Sequence, residues 1–368
     1  MKAVIVGGGI MGTSIALELA AAKVEVTVLE RSLPGAEAST AAAGMLAPQL
    51  EAHAPGPMLE LTMRSRTLYP AWVQRLHAES GVEVGYQPCG ALQIALSPAQ
   101  AYELEATVAW QSAAGLRATF LTGDEARALE PALTPDAVAA AHFPDDHQVD
   151  PKKLMVALAA VARRRGITFR SAPVQRVIDV GGRAVGLELA GGRLEADVTI
   201  VAAGAWTSQL PGAGVDEAHL KPARGQLLEL LLATTHVRHL LKAGLGYVVP
   251  RPDGCVICGT TVELVGYDKR VTDEGRAQVL AQACALCPSL TGATVVDAWA
   301  GLRPWTADGL PLLGTGHLDG LVIASGHYRN GILLAPITAR LVSQLVLGER
   351  PAMDVSPFRP ERFASTPG

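Results

Sequence analysis

The sequence predicts an α/β protein in which a Rossmann-like dinucleotide-binding domain is interrupted by an antiparallel-sheet domain inserted in pieces. Three observations predict it. A short apolar run opens directly into the glycine series Gly7-x-Gly9-x-x-Gly12. A second α/β stretch begins at Asp150-Pro151 and ends in the strand-like residues 197–202. Elsewhere the apolar residues alternate and are broken by turns such as Arg251-Pro252-Asp253-Gly254.

Taken in order, residues 3–6 are apolar without alternation, as a central parallel strand should be. Residues 13–22 are good helix formers, and the valine-rich residues 24–29 read as the next strand, ending at Glu30. Asp150-Pro151 supplies the N-cap and first-turn proline of a helix over 152–165, closed by Gly166. Residues 167–169, 174–180 and 197–202 read as strands, and 85–97 and 222–265 as antiparallel sheet. A strand over 321–325 and a helix over 331–347 close the chain. These segments assign 1–84, 145–211 and 298–368 to the nucleotide domain, and 85–144 and 212–297 to the inserted one.

Composition narrows the functions. Of the 368 residues, 49 % are hydrophobic and 18 % charged, the profile of a packed globule rather than a disordered chain. With 31 basic against 35 acidic residues the net charge is −4, so there is no cationic surplus for nucleic acid. No apolar run reaches membrane-spanning length. Residues 3–17 resemble the hydrophobic part of a signal peptide, but cleavage there would discard the glycine series, so a cytoplasmic protein is expected. Five cysteines, an odd number, argue against a disulfide framework.

Each glycine of the series has a mechanical task. Gly7 permits the tight turn, Gly9 lets backbone approach a pyrophosphate, and Gly12 lets helix pack closely on strand. The helix N-terminus then offers free N–H groups to phosphate. Glu30 stands 18 residues past Gly12, where a carboxylate accepts from ribose hydroxyls and repels a 2′-phosphate. The series alone does not separate FAD from NAD. The small-residue run 39–46 fits a flat ring or a pyrophosphate, and equally a helix-packing seam.

The pairs Cys255-x-x-Cys258 and Cys284-x-x-Cys287 look like halves of a four-thiolate zinc site. A strand, however, turns side chains at i and i+3 to opposite faces, so the first pair cannot converge on one metal. The second pair, on an expected helix, reads as core packing, and no metal site is expected.

Two further blocks are more specific: Ala300-Gly301-Leu302-Arg303-Pro304-x-Thr306-x-Asp308-Gly309-x-Pro311 and Gly326-His327-Tyr328-Arg329-Asn330-Gly331-Ile332-Leu333-Leu334-Ala335-Pro336. With the amino end and the 39–46 run, they resemble the glycine oxidase family, flavoenzymes of the D-amino-acid oxidase superfamily, from residue 1 to about 348. The resemblance implies an FAD-binding Rossmann-like domain with an inserted antiparallel substrate domain. It further implies that Gly7, Gly9, Ile10, Met11, Gly12, Glu30 and Arg31 hold the ADP half of FAD. Ser39, Thr40, Ala43, Gly44 and Met45 would line pyrophosphate and flavin, Val174 the adenine, and His327, Tyr328, Arg329, Asn330, Gly331, Ile332 and Leu333 the isoalloxazine. Arg303 and Tyr247 would bind a substrate carboxylate, with Arg329 beside them.

Physical reasons support part of this assignment. A guanidinium fork grips a carboxylate with two parallel hydrogen bonds, and a helix beginning near Gly331 stabilises the negative charge that flavin gains on reduction. His327 and His53 are read as packed or hydrogen-bonded rather than as bases, because a neutral amine oxidised by flavin needs no strong protein base. The resemblance implies a small amino acid and molecular oxygen as reactants, and thiamine synthesis as the setting. It leaves oligomeric state open, a homo-oligomer included. Two positions depart from the family: Leu245 stands where a histidine is usual, and Val262 where a methionine is, both expected to touch the pocket. No cysteine follows residue 287, so the thioether link of related sarcosine oxidases has no partner and FAD should be non-covalent. A D-amino-acid dehydrogenase, a sarcosine or N-methyl amino acid oxidase and, from another class, a zinc-stabilised interaction protein remain alternatives.

Overall fold

The computed structural model describes residues 1–232 and 237–363. Residues 233–236, inside the expected antiparallel stretch, and 364–368, at the end of the last nucleotide-domain segment, lie outside the described residues.

A six-stranded sheet runs in the order Leu312–Thr315, Leu321–Ser325, Val198–Val201, Lys2–Val6, Glu25–Glu30, Thr168–Ser171. All pairings are parallel except that of the first two strands. The lack of alternation in residues 3–6 is explained by burial on both faces. Ala3 and Ile5 pack against helices, whereas Val4 and Val6 pack against the small three-stranded sheet made by Val174–Val180, Arg183–Leu189 and Gly192–Glu195. The helices Ile10–Ala21, Pro57–Ser80, Pro151–Arg164 and Gly331–Val346 cover the first face. Asp150 caps Pro151–Arg164 by accepting from the backbone N–H groups of Lys152 (2.9 Å) and Lys153 (3.2 Å).

An eight-stranded sheet stands over the carboxyl ends of the parallel strands. Its order is Thr294–Thr306, Leu220–Leu231, Cys255–Gly259, Gly246–Pro250, Leu240–Ala243, Ala91–Ala95, Ala139–Phe143, Thr119–Thr122. Two expectations need correction here. Ala91–Ala95 pairs parallel with Leu240–Ala243, because these strands are joined by a long excursion rather than a hairpin. Thr294–Thr306 crosses the boundary drawn at residue 298, staying paired with Leu220–Leu231 from Leu231↔Thr294 to Leu220↔Thr306.

Cys258 and Cys287 are buried in an apolar cluster of this sheet and its helix Asp273–Leu286. Among the described residues no group of three or more His, Cys, Asp or Glu side chains could hold a metal ion. Among them, too, no helix is long and apolar enough to cross a membrane.

Candidate active site

A cavity of about 410 Å³ lies between the two large sheets, at the carboxyl ends of the parallel strands where open α/β sheets bind ligands. One end is lined by Glu30, Arg31, Val174 and Trp206, the other by Tyr247, Arg303 and Arg329. Gly7, Gly9, Ile10, Met11, Ser39, Ala43, Gly44, Met45, His327, Tyr328, Gly331 and Ile332 line the length between.

The glycine turn is built as its spacing requires. Gly7 has φ +103°, and a Cβ there would overlap the carbonyl of Ala202; a Cβ on Gly12 would overlap the carbonyl of Gly7. Glu30 accepts from the N–H of Gly8 at 2.8 Å, and the Ser39 hydroxyl accepts from the N–H of Ile10 at 2.9 Å. Arg31 stacks its guanidinium on the Trp206 ring at 3.9 Å, closing the far end.

Four residues assigned to the cofactor do not line the cavity. Gly12 acts one layer back, as the close-packing point of turn and helix. Thr40 turns its hydroxyl to the carbonyl of Gly35 at 2.9 Å. The Asn330 N–H closes a turn on His327 (2.9 Å), and Leu333 is buried in the helical core. The helical period explains Leu333: Ile332 faces the cavity and its neighbour is turned away.

The 39–46 run is held by residues from distant strands. Arg251 donates to the carbonyl of Ala43 at 2.7 Å and also to Gln148, while Trp299 donates to the carbonyl of Ala41 at 3.0 Å. A side chain on Gly44 (φ +86°) would overlap the carbonyl of Val149. The run is therefore a fixed wall of the cavity, and its small residues let backbone reach the interior.

The second helix N-terminus, at Gly331, has no side-chain cap and no acidic residue in its first turn. Pro336 lies inside this helix and lacks the N–H that would bond the carbonyl of Ile332. The buried Tyr69 hydroxyl donates to that carbonyl instead, at 3.0 Å, and Ser65 donates to the carbonyl of Leu333 at 2.5 Å. Tyr69→Phe should therefore strand a buried carbonyl and lower stability by about 1–3 kcal/mol. A lowered denaturant midpoint with an unchanged m-value would show it; an unchanged midpoint would contradict it.

At the other end Arg303, partly buried, donates to the Thr260 hydroxyl at 2.5 Å and the Thr261 carbonyl at 3.2 Å. Burial pulls its pKa below the usual arginine value, which the neighbouring Tyr247 opposes. Burial pushes the Tyr247 phenol up, while Arg303 and Arg329 pull it down. The two side chains fit only because glycines face them: a Cβ on Gly225 would overlap the Arg303 guanidinium, and one on Gly259 the Tyr247 ring. His327 is buried, its Nε2 3.1 Å from the Thr338 hydroxyl, and burial drops its pKa to about 3. It is neutral at working pH and packed. His53 is exposed and does not line the cavity.

Leu245 and Val262 correct an expectation. Both are surface residues, 43 % and 38 % exposed, and neither lines the cavity. Conversely, Trp206, Gly225, Gly301 and Leu302 line it without having been singled out for it. A lone glycine inside a strand, as at Gly225, is the sequence signal that marks such close approach.

A long cavity with a helix N-terminus at each of two places, the one at Gly331 without a side-chain cap, a glycine turn that admits no Cβ and an acid at the strand end fits FAD. The chain belongs to the FAD dependent oxidoreductase family (DAO), whose profile matches residues 2–345. Within that family it is 39 % identical over 98 % of its length to the bifunctional protein ThiO/ThiG of Synechocystis sp., of which the match covers 54 %. The chain thus spans about half the length of that relative. It is 35 % identical to the glycine oxidase of Geobacillus kaustophilus, over 96 % of this chain and 95 % of the relative. The crystal structure of glycine oxidase from that organism superposes with a TM-score of 0.93 at 33 % identity, covering 97 % of both chains. An iminodiacetate oxidase from Chelativorans sp. superposes at 0.89 with 28 % identity, over 97 % of this chain and 98 % of that one.

Proposed function

We propose that the protein oxidises the Cα–N bond of glycine or another small amino acid, using non-covalent FAD and molecular oxygen and yielding keto acid, ammonia and hydrogen peroxide. The observation that carries this reading is the Arg303–Tyr247 pair at one end of a dinucleotide-shaped cavity. The guanidinium fork takes a carboxylate with two hydrogen bonds, and the tyrosine hydroxyl donates a third. With the carboxylate fixed, Cα is held over the middle of the cavity and positioning lowers the barrier. FAD, when bound, would supply the electron transfer that no side chain here can perform.

Gly331 and Ile332, at the start of the helix Gly331–Val346, line the cavity, where a helix N-terminus favours negative charge. His327, neutral and bonded to Thr338, takes no proton, so the amine would have to enter unprotonated. None of Cys89, Cys255, Cys258, Cys284 and Cys287 lines the cavity, which supports a non-covalent cofactor. The family profile and the glycine oxidase relatives support the reaction class.

The test is a peroxide-coupled screen of the FAD-loaded protein with glycine, sarcosine and D- and L-amino acids. Peroxide with glycine or a similarly small amino acid is expected. Formaldehyde release with sarcosine alone would favour an N-methyl amino acid oxidase, and turnover with a dye but not with air a dehydrogenase. Absence of turnover with every acceptor would overturn the reading.

A further inference from the structure

Behind the substrate end, paired to the cavity-lining Arg329, lies a carboxylate that does not itself line the cavity and that the proposed reaction does not use. The Glu51 Oε1 atom lies 3.3 Å from Lys242 Nζ and 3.4 Å from Arg329 Nη2, so one oxygen is shared by two cations. All three side chains are at most 16 % exposed. Lys242 stands directly across from Tyr247 in the strand pairing, and Arg329 lines the cavity with Arg303. The Tyr247 phenol is within electrostatic reach of Arg303, Arg329 and Glu51 together.

Glu51 is held in place. The preceding residues Gln49 and Leu50 donate their backbone N–H groups to the buried carboxylate of Asp146, at 3.4 and 2.8 Å. Arg66 then ties Asp146 (3.1 Å) to the Gln49 side chain (2.7 Å). The backbone that carries Glu51 is therefore fixed, and its carboxylate is held by the pairs with Lys242 and Arg329.

The charges decide what such a site admits. Arg303, Arg329 and Lys242 are cationic, and Glu51 is anionic. A ligand carboxylate on Arg303 leaves the other two cations sharing Glu51. A second ligand carboxylate would find its cations already engaged and a like charge beside them, in a setting where water screens poorly.

We propose that Glu51 is a built-in counter-anion that restricts the substrate end to amino acids with one carboxylate, by engaging from behind the cavity-lining Arg329 that a second carboxylate would otherwise take. The proposal rests on the reading of Arg303 as the carboxylate site. It assigns Glu51 as a specificity-determining residue, with Lys242 and Arg329 as the groups through which it acts.

Isothermal titration calorimetry of the FAD-loaded protein with acetate, malonate and succinate tests this at low ionic strength. The wild-type protein should bind malonate and succinate no more tightly than acetate. Glu51→Gln, which keeps the shape and removes the charge, should raise dianion affinity relative to acetate about tenfold. Glu51→Asp, which keeps the charge, should retain most of the discrimination. Dianions bound more tightly than acetate by the wild type, or a ratio in Glu51→Gln within twofold of wild type, would overturn the proposal. A distinct result bears on the parent reading: if Arg303→Ala binds acetate as tightly as wild type, Arg303 is not the carboxylate site, and both fall.

Discussion

Arg303→Ala is expected to lower kcat/KM for every amino acid that the protein turns over by about 30- to 5,000-fold, the equivalent of about 2–5 kcal/mol for truncating a buried charge partner. The guanidinium is already oriented before substrate arrives, by the Thr260 hydroxyl at 2.5 Å and the Thr261 carbonyl at 3.2 Å. Its loss removes both the charge and the fork. Arg303→Lys should recover only part of the effect, because an ammonium restores the charge without the paired geometry. FAD content should stay the same in both variants, since the residues around the glycine turn are untouched. Unchanged kcat/KM in Arg303→Ala would contradict the role.

Gly225→Ala should produce a comparable defect without removing any functional atom. A methyl group there would overlap both Nη atoms of Arg303, and the buried strand leaves it no other room. Either the guanidinium moves or the strands Leu220–Leu231 and Thr294–Thr306 separate, and they are paired along their whole length. Movement of the side chain is the smaller cost. Displacement of a positioning group by about 1 Å is worth about 100-fold in rate, and overpacking costs about 1–3 kcal/mol in stability. The expected signature is a kcat/KM lowered about 100-fold with bound FAD retained. Full activity in a folded Gly225→Ala protein would show that Arg303 has freedom the structure does not give it.

What the sequence revealed, and what it hid, follows from how local each feature is. Gly7, Gly9, Gly12 and Glu30 form one continuous strand–turn–helix–strand unit, so their spacing alone predicts the turn and the strand end beside it. The helix at Gly331 and its glycine-rich approach were legible for the same reason. Arg303 and Tyr247 were reached through family resemblance, since they lie 56 positions apart and meet only because their strands share a sheet. Glu51 and Lys242 escaped notice because an ion pair across 191 positions leaves no periodicity to read. Thr40, Asn330 and Leu333 stand next to residues that line the cavity without lining it themselves, because one residue along a helix or turn changes the facing side. Leu245 and Val262, judged by motif position alone, proved to be surface residues.

The most direct measurement mixes FAD-loaded protein anaerobically with glycine and follows the visible flavin absorbance. The account predicts that the absorbance bleaches, that it returns when air is admitted, and that Arg303→Ala bleaches far more slowly. A protein that holds FAD firmly, yet whose absorbance neither glycine nor any other small amino acid bleaches, would contradict it.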